Sequence, residues 1–236
     1  MNSQTNAILT TLYSKANPKN VEGMARYGIT SPKNVLGVSS KYLFSLAKNL
    51  GTNHALALEL WQTGVYEARL IAAFIADPKQ LKKSTMNAWA KDFDNWAICD
   101  GVCMHCFRET PFGHHLATQW IKRKPEFIRR AGFTMIATLA VHDKTSGDSV
   151  FRNYLREVKK YSTDDRTYVK KAVNWALRQI GKRNLALNAA ALITAQEIHR
   201  TNSSAARWIA SDAIRELKNA KVQARLRKKL EQPKRK

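Results

Sequence analysis

Apolar residues recur along this chain at steps of three and four, the period of one helix face. No stretch alternates strictly enough to call for a strand. The pattern predicts helices over about 3–15, 19–27, 40–50, 53–63, 65–76, 84–92, 95–108, 112–122, 125–141, 148–160, 165–180, 184–199, 203–217 and 219–230. Ser39, Ser84, Asp148 and Ser203 stand where helix N-caps are expected, and Pro125 suits a first turn. Four of the segments resemble one another: "EARLIAAFIAD" (67–77), "RRAGFTMIATLAVHD" (129–143), "KKAVNWALRQIGK" (170–182) and "AARWIASDAIREL" (205–217). Each opens with an alanine beside a charged residue, namely Ala68, Ala131, Ala172 and Ala206. A helical pair repeating every 30–40 residues or so is the mark of an α-solenoid of the HEAT or armadillo kind. The expected fold is therefore all-α, a curved solenoid of HEAT-like repeats with a basic concave face. It forms a single domain over about 1–218, followed by a basic helix and tail over about 219–236; an irregular helical bundle is the alternative.

Composition adds little to this until charge is counted. The 236 residues include 44% hydrophobic side chains, enough for a core, and only 10 Gly and 6 Pro. Forty Lys and Arg against 18 Asp and Glu leave +22. The stretch from Lys218 to Lys236 holds nine basic residues and one acidic, so +8 resides there and +14 on the remainder. A basic body, and not only a basic tail, points to a polyanionic partner, most often nucleic acid. A protein-binding scaffold would give no reason for that charge. The N-terminus lacks the pattern of a signal peptide, and no apolar run is long enough for a membrane span. Three cysteines in one segment fit a reducing interior better than a disulfide framework. The expectation is a cytoplasmic, nucleoid-associated monomer.

The segment "CDGVCMHC" spaces Cys99, Cys103 and Cys106 as C-x3-C-x2-C, the spacing with which radical S-adenosylmethionine enzymes hold an iron–sulfur cluster. On a helix those positions are i, i+4 and i+7, one face over two turns, and cannot converge on a compact cluster. They read as small buried hydrophobes, with neither metal nor cofactor expected. On the same helix Trp96 and Asp100 are one turn apart, beside the cysteine stripe. A carboxylate bordering an apolar face needs a partner or a task, because its desolvation is costly.

Together, "EGMARYGI…VLGVS" (Glu22 to Ser39), "NWAICD" (95–100), "FIRRAG" (127–132) and "VKKAVNWALRQIGK" (169–182) make the chain resemble the AlkD-type DNA alkylation repair glycosylases, over roughly residues 20–215. The resemblance implies a HEAT-like solenoid that hydrolyses the N-glycosidic bond of N3- or N7-alkylated purines in double-stranded DNA, without flipping the lesion into a pocket. It places the catalytic aspartate on Asp100, an arginine on Arg130, two cleft tryptophans on Trp96 and Trp175, and a tyrosine near the DNA on Tyr27. One departure stands out: Asn95 and Ala97 replace a tryptophan and a nearer aspartate common in that family. The chemistry suits these residue types. An alkylated purine is already a good leaving group, so the reaction needs a carboxylate facing the oxocarbenium-like sugar and a positioned water. Aromatic faces suit a cationic nucleotide, and a guanidinium suits a phosphate. Arg69, Arg129, Lys170, Lys171, Arg178, Lys182, Arg183 and Arg207 are expected to contact the backbone, which gives affinity without sequence readout. The alternative is a non-catalytic HEAT-like protein that binds damaged or branched DNA.

Overall fold

A computed structural model describes residues 2–29 and 34–231. Positions 30–33, inside the Glu22–Ser39 stretch, and the tail end 232–236 lie outside the described residues. All regular structure among the described residues is helical, and the chain forms two compact units, 1–116 and 117–236.

The first unit contains α1 (Ser3–Ser14), α2 (Pro18–Arg26), α3 (Ser40–Leu50), α4 (His54–Gln62), α5 (Tyr66–Ile75), α6 (Lys83–Lys91) and α7 (Trp96–His105). The unit boundary falls within α8 (Gly113–Trp120). At the centre of the first unit α5 packs against α3, α4 and α7. Its sequence allows this, because Ala68, Leu70, Ile71, Ala72, Ala73 and Ile75 are all buried. Small residues permit close approach: a Cβ added at Gly101 of α7 would lie 2.9 Å from the Leu70 Cδ2 of α5. A second cluster is aromatic, with the Trp61 and Trp89 rings stacked at 4.1 Å and the Trp61 indole donating to Asp92 at 2.8 Å.

The second unit contains α9 (Glu126–His142), α10 (Asp148–Lys160), α11 (Thr167–Gly181), α12 (Leu185–His199), α13 (Ser204–Leu217) and α14 (Ala220–Glu231). Alternate helices associate: α11 packs against α9 and α13, while α10 packs against α12. The three similar segments 129–143, 170–182 and 205–217 thus form one layer, as a repeat requires. Ala131, Ala172 and Ala206, like Ala68 in the first unit, are shielded from solvent.

Local signals explain the helix ends. Asn2, Asn17, Ser39, Asn53, Asn95, Asn184 and Ser203 are N-caps whose side chains accept a backbone N–H of the first turn. Ser84 and Asp148 are not caps: the cap positions are Lys82 and Gly147, and both predicted residues sit inside the first turn. There the Asp148 carboxylate faces the positive end of the helix dipole. The helix predicted over 95–108 stops at His105. Cys106 breaks it with φ −130° and ψ −64°, and a short 3-10 turn over Phe107–Glu109 follows. The bend delivers Phe107 to the core beside Trp89 and Phe93.

Candidate nucleic-acid interface

In the first unit the site is built on α7. Asn95 caps it, accepting from the N–H groups of Ala97 and Ile98, so the residue that departs from the family pattern has a structural task. Cys99, Cys103 and Cys106 are buried thiols in the core, the first two by the phase of α7 and Cys106 at the break that ends it. Burial, together with the neighbouring Cys103, pushes the Cys106 thiol up to about 12, so it stays protonated at neutral pH. Among the described residues no group of three His, Cys, Asp or Glu is arranged to hold a metal.

With the cysteine face turned inward, Trp96 and Asp100 are left half-buried on the flank of α7. The Trp96 indole Nε1 donates to the Tyr27 carbonyl at 2.7 Å, across 69 residues of chain. Tyr27 itself, at the end of α2, leaves its ring 75% exposed. The structure therefore brings Tyr27 and Trp96 together. They share an open groove of about 540 Å³ with Met24, Ile29, Val38 and Ser40.

The far wall of that groove depends on a residue that sequence reasoning missed. Glu67, fully buried in the first turn of α5, accepts from the backbone N–H groups of Leu36 (3.0 Å), Gly37 (2.7 Å) and Val38 (3.3 Å). Burial raises its pKa above the ordinary carboxylate value, and these donors only partly oppose the rise. Gly37 is required where it stands. Its φ is +74°, and a Cβ there would lie 2.4 Å from the Asn17 carbonyl oxygen. The signal for Glu67 was present in the sequence, since it is an acid within the apolar run of α5.

Arg69 of the same helix is occupied: it lies over the Trp61 ring at 5.1 Å and pairs with Asp92 at 3.5 Å.

In the second unit the predicted basic residues fall into two groups. The first is engaged within the protein. Arg129 pairs with Asp164 at 2.7 Å, donates to the Ile121 carbonyl and stacks on Tyr161. Arg130 is 6% exposed and donates to the Tyr168 carbonyl at 2.7 Å. Arg178 and Lys182 both pair with Glu216. Arg183 lies over the Phe151 ring at 4.1 Å and donates to the carbonyls of Ala140, Asp143 and Ser146. Burial raises the Asp164 and Glu216 carboxyls, but the arginine and lysine hydrogen bonds outweigh it and leave both below the usual carboxylate range.

The second group faces outward. Lys171 and Arg207 are exposed, and Lys170 is half-buried. Lys171, Trp175, Arg178 and Lys182 fall at i, i+4, i+7 and i+11 and form one row along α11. The Trp175 indole donates to the Gln179 side-chain oxygen at 3.0 Å. Next to the row stands Trp208 of α13, 43% exposed, with the Lys170 ammonium 5.2 Å above its ring. Trp208 was not anticipated, although it lies off the apolar stripe Ala205, Ala206, Ile209, Ala210, Ala213 and Leu217. A large aromatic out of phase with a core stripe is itself a surface-site signal.

Among the described residues no helix is long and apolar enough to cross a membrane. No curated protein matches the chain significantly. A solved structure of a protein from "a new family of proteins related to the HEAT-like repeat DNA glycosylases with affinity for branched DNA structures" is similar, with a TM-score of 0.74 and 24% identity. The match covers 89% of this chain and 94% of that one. That likeness establishes the HEAT-like repeat fold. The family described as "DNA alkylation repair enzyme" matches residues 8–217, a span that takes in α7, the Tyr27 groove and the α11 row. By that match the chain belongs to the DNA alkylation repair enzyme family.

Proposed function

We propose that the protein is a DNA glycosylase that hydrolyses the N-glycosidic bond of N3- or N7-alkylated purines in double-stranded DNA, without flipping the lesion. The observation that carries this reading is Asp100, a half-buried acid one turn from Trp96 in a strongly basic member of a DNA alkylation repair family. A carboxylate repels the phosphates of a DNA ligand, so a binding module gains nothing from it. A glycosylase does gain, because positive charge develops on the sugar as the bond breaks. Asp100 would face that charge and orient the attacking water, with the alkylated base leaving as a neutral group. Trp96, fixed by the Tyr27 carbonyl, would offer an aromatic face to the cationic nucleotide. For the second unit we propose a role in holding the duplex. Lys170, Lys171 and Arg207 would contact phosphates, Trp175 would supply an aromatic face, and Arg130 a phosphate contact. Arg129, Arg178, Lys182 and Arg183 would have to exchange an internal partner to join them, as would Arg69 of the first unit to contact phosphate.

The test is release of 7-methylguanine from a duplex carrying that single lesion, under single-turnover conditions. Asp100→Asn keeps the shape and removes the charge. Base release should slow about 10²–10³-fold, while binding to undamaged duplex holds or improves. Equal rates for the two proteins would reject Asp100.

A second reading has its own support. The structurally similar protein belongs to a family with affinity for branched DNA. If wild-type protein releases no alkylated base yet prefers a four-way junction over duplex in competition, branched-DNA binding replaces catalysis.

A further inference from the structure

The family match ends at residue 217, and α14 lies beyond it. This helix is not loose. Leu226 is buried, the Gln223 amide donates to Asn188 at 3.1 Å, and Lys229 donates to the carbonyls of Lys182 and Arg183 at the end of α11. Docked in this way, α14 closes a cleft of about 990 Å³ against the end of α11 and the loop joining α9 to α10. Among the described residues five cations line it: Lys144 from the loop, Lys182 and Arg183 just past the end of α11, and Arg225 and Lys229 from α14. Among the described residues Asp148 is the one carboxylate in the lining.

Like charges gathered in one concavity repel each other and cost stability unless an anion joins them. Lys182 has Glu216, and Arg183 has the three carbonyls already described. Lys144 donates to the Val141 carbonyl and Lys229 to those of Lys182 and Arg183, but neither they nor Arg225 makes an ion pair among the described residues. Their mutual proximity is evident at Lys229, whose pKa is lowered by burial and then by Arg225, Lys144 and Arg183. The cleft is also continuous with the basic row of α11, which ends in it at Lys182.

We propose that this cleft binds the phosphodiester backbone of duplex DNA, and that α14 is an added element extending the phosphate track beyond the family's common core. The proposal rests on the reading that the partner is DNA, but not on any glycosylase chemistry. Its chemistry is that of lysine and arginine against phosphate oxygens, which confers affinity and register but no base readout.

The experiment is fluorescence anisotropy of a short undamaged duplex with full-length protein, over a salt series. Arg225→Glu and Lys144→Glu place a negative charge on opposite walls. Each should weaken binding about tenfold near physiological salt and lower the salt slope by about one. Lys221→Glu is the control, with the same charge change on an exposed position of α14 outside the cleft. It should cost less than about threefold. Circular dichroism melts of all variants would verify folding, which neither exposed cleft residue should disturb. If the control loses as much as the cleft variants, or the cleft variants bind like wild type, the cleft is not a phosphate site. If wild type itself fails to bind duplex at low salt, both this proposal and the DNA reading fall. If Arg225→Glu and Lys144→Glu abolish binding of inorganic phosphate but leave duplex affinity unchanged, the cleft takes free phosphate and the duplex assignment fails.

Discussion

Replacing Glu67 with alanine should unfasten the groove that holds Tyr27 and Trp96. The carboxylate is the acceptor for three backbone N–H groups, those of Leu36, Gly37 and Val38, at 2.7–3.3 Å. Gly37 and Val38 are buried, so their donors have little water to turn to. Each buried donor left unsatisfied costs about 1–3 kcal/mol. Leu36 is partly accessible and recovers some of this, and removing a buried carboxyl relieves its own desolvation. The expected net loss is about 3–5 kcal/mol. Glu67→Gln keeps one oxygen for Gly37 and Val38 but turns an NH₂ toward the Leu36 N–H, and should cost about 1–2 kcal/mol. Urea unfolding measures the totals, and amide hydrogen exchange at residues 36–38 locates them. The pH dependence has a defined sign. Because the folded pKa lies above 4.5, the folded state holds the proton more tightly than the unfolded state. The contribution of Glu67 is full below that pH and declines as pH rises through the folded value. Glu67→Gln should remove this slope. An alanine variant within about 1 kcal/mol of wild type, with exchange at 36–38 unchanged, would refute the reasoning.

Asp164 behaves in the opposite sense. Its folded pKa is below 3.8, so its contribution is full above that pH and lost as pH falls through the lowered value. Asp164→Asn should cost about 2–3 kcal/mol by stranding Arg129 and Arg166, and should flatten the acid limb of a pH–stability curve measured by thermal melts. Gly132→Ala and Gly101→Ala separate two kinds of close packing. At Gly132 the new Cβ meets the backbone nitrogen of Ile121 at 2.6 Å and should cost about 2–3 kcal/mol, whereas at Gly101 it meets the end of Leu70, which can rotate, and the cost should stay under about 1 kcal/mol. Trp208→Ala should weaken duplex binding several-fold with little change in melting temperature, because the side chain is 43% exposed and lies off the buried stripe of α13.

What the sequence determined by itself is local. Helix phase follows from the spacing of apolar side chains a few residues apart, and the helices of the described residues begin and end within a few residues of the predicted limits. The same phase argument turns Cys99 and Cys103 into the core, although their spacing mimics a cluster motif; Cys106 is buried at the break that ends α7, which phase alone did not foresee. The shared alanines at 131, 172 and 206 mark the repeat, and the helices that carry them, α9, α11 and α13, pack as one layer. Where the sequence fell short, the cause was distance along the chain. A basic stripe looks uniform in one dimension, yet Arg129 is claimed by Asp164, 35 residues away, and Arg178 by Glu216, 38 residues away. Glu67 looked like one more charge until the loop at 36–38 folded onto it, 29–31 residues upstream. The cleft that α14 closes exists only because Leu226 and Gln223 dock the helix where Lys144 and Arg225 then meet. Backbone periodicity is written in neighbours, but the partner of a charge is set by which helices pack, so only the tertiary structure could say which cations were still available to a phosphate.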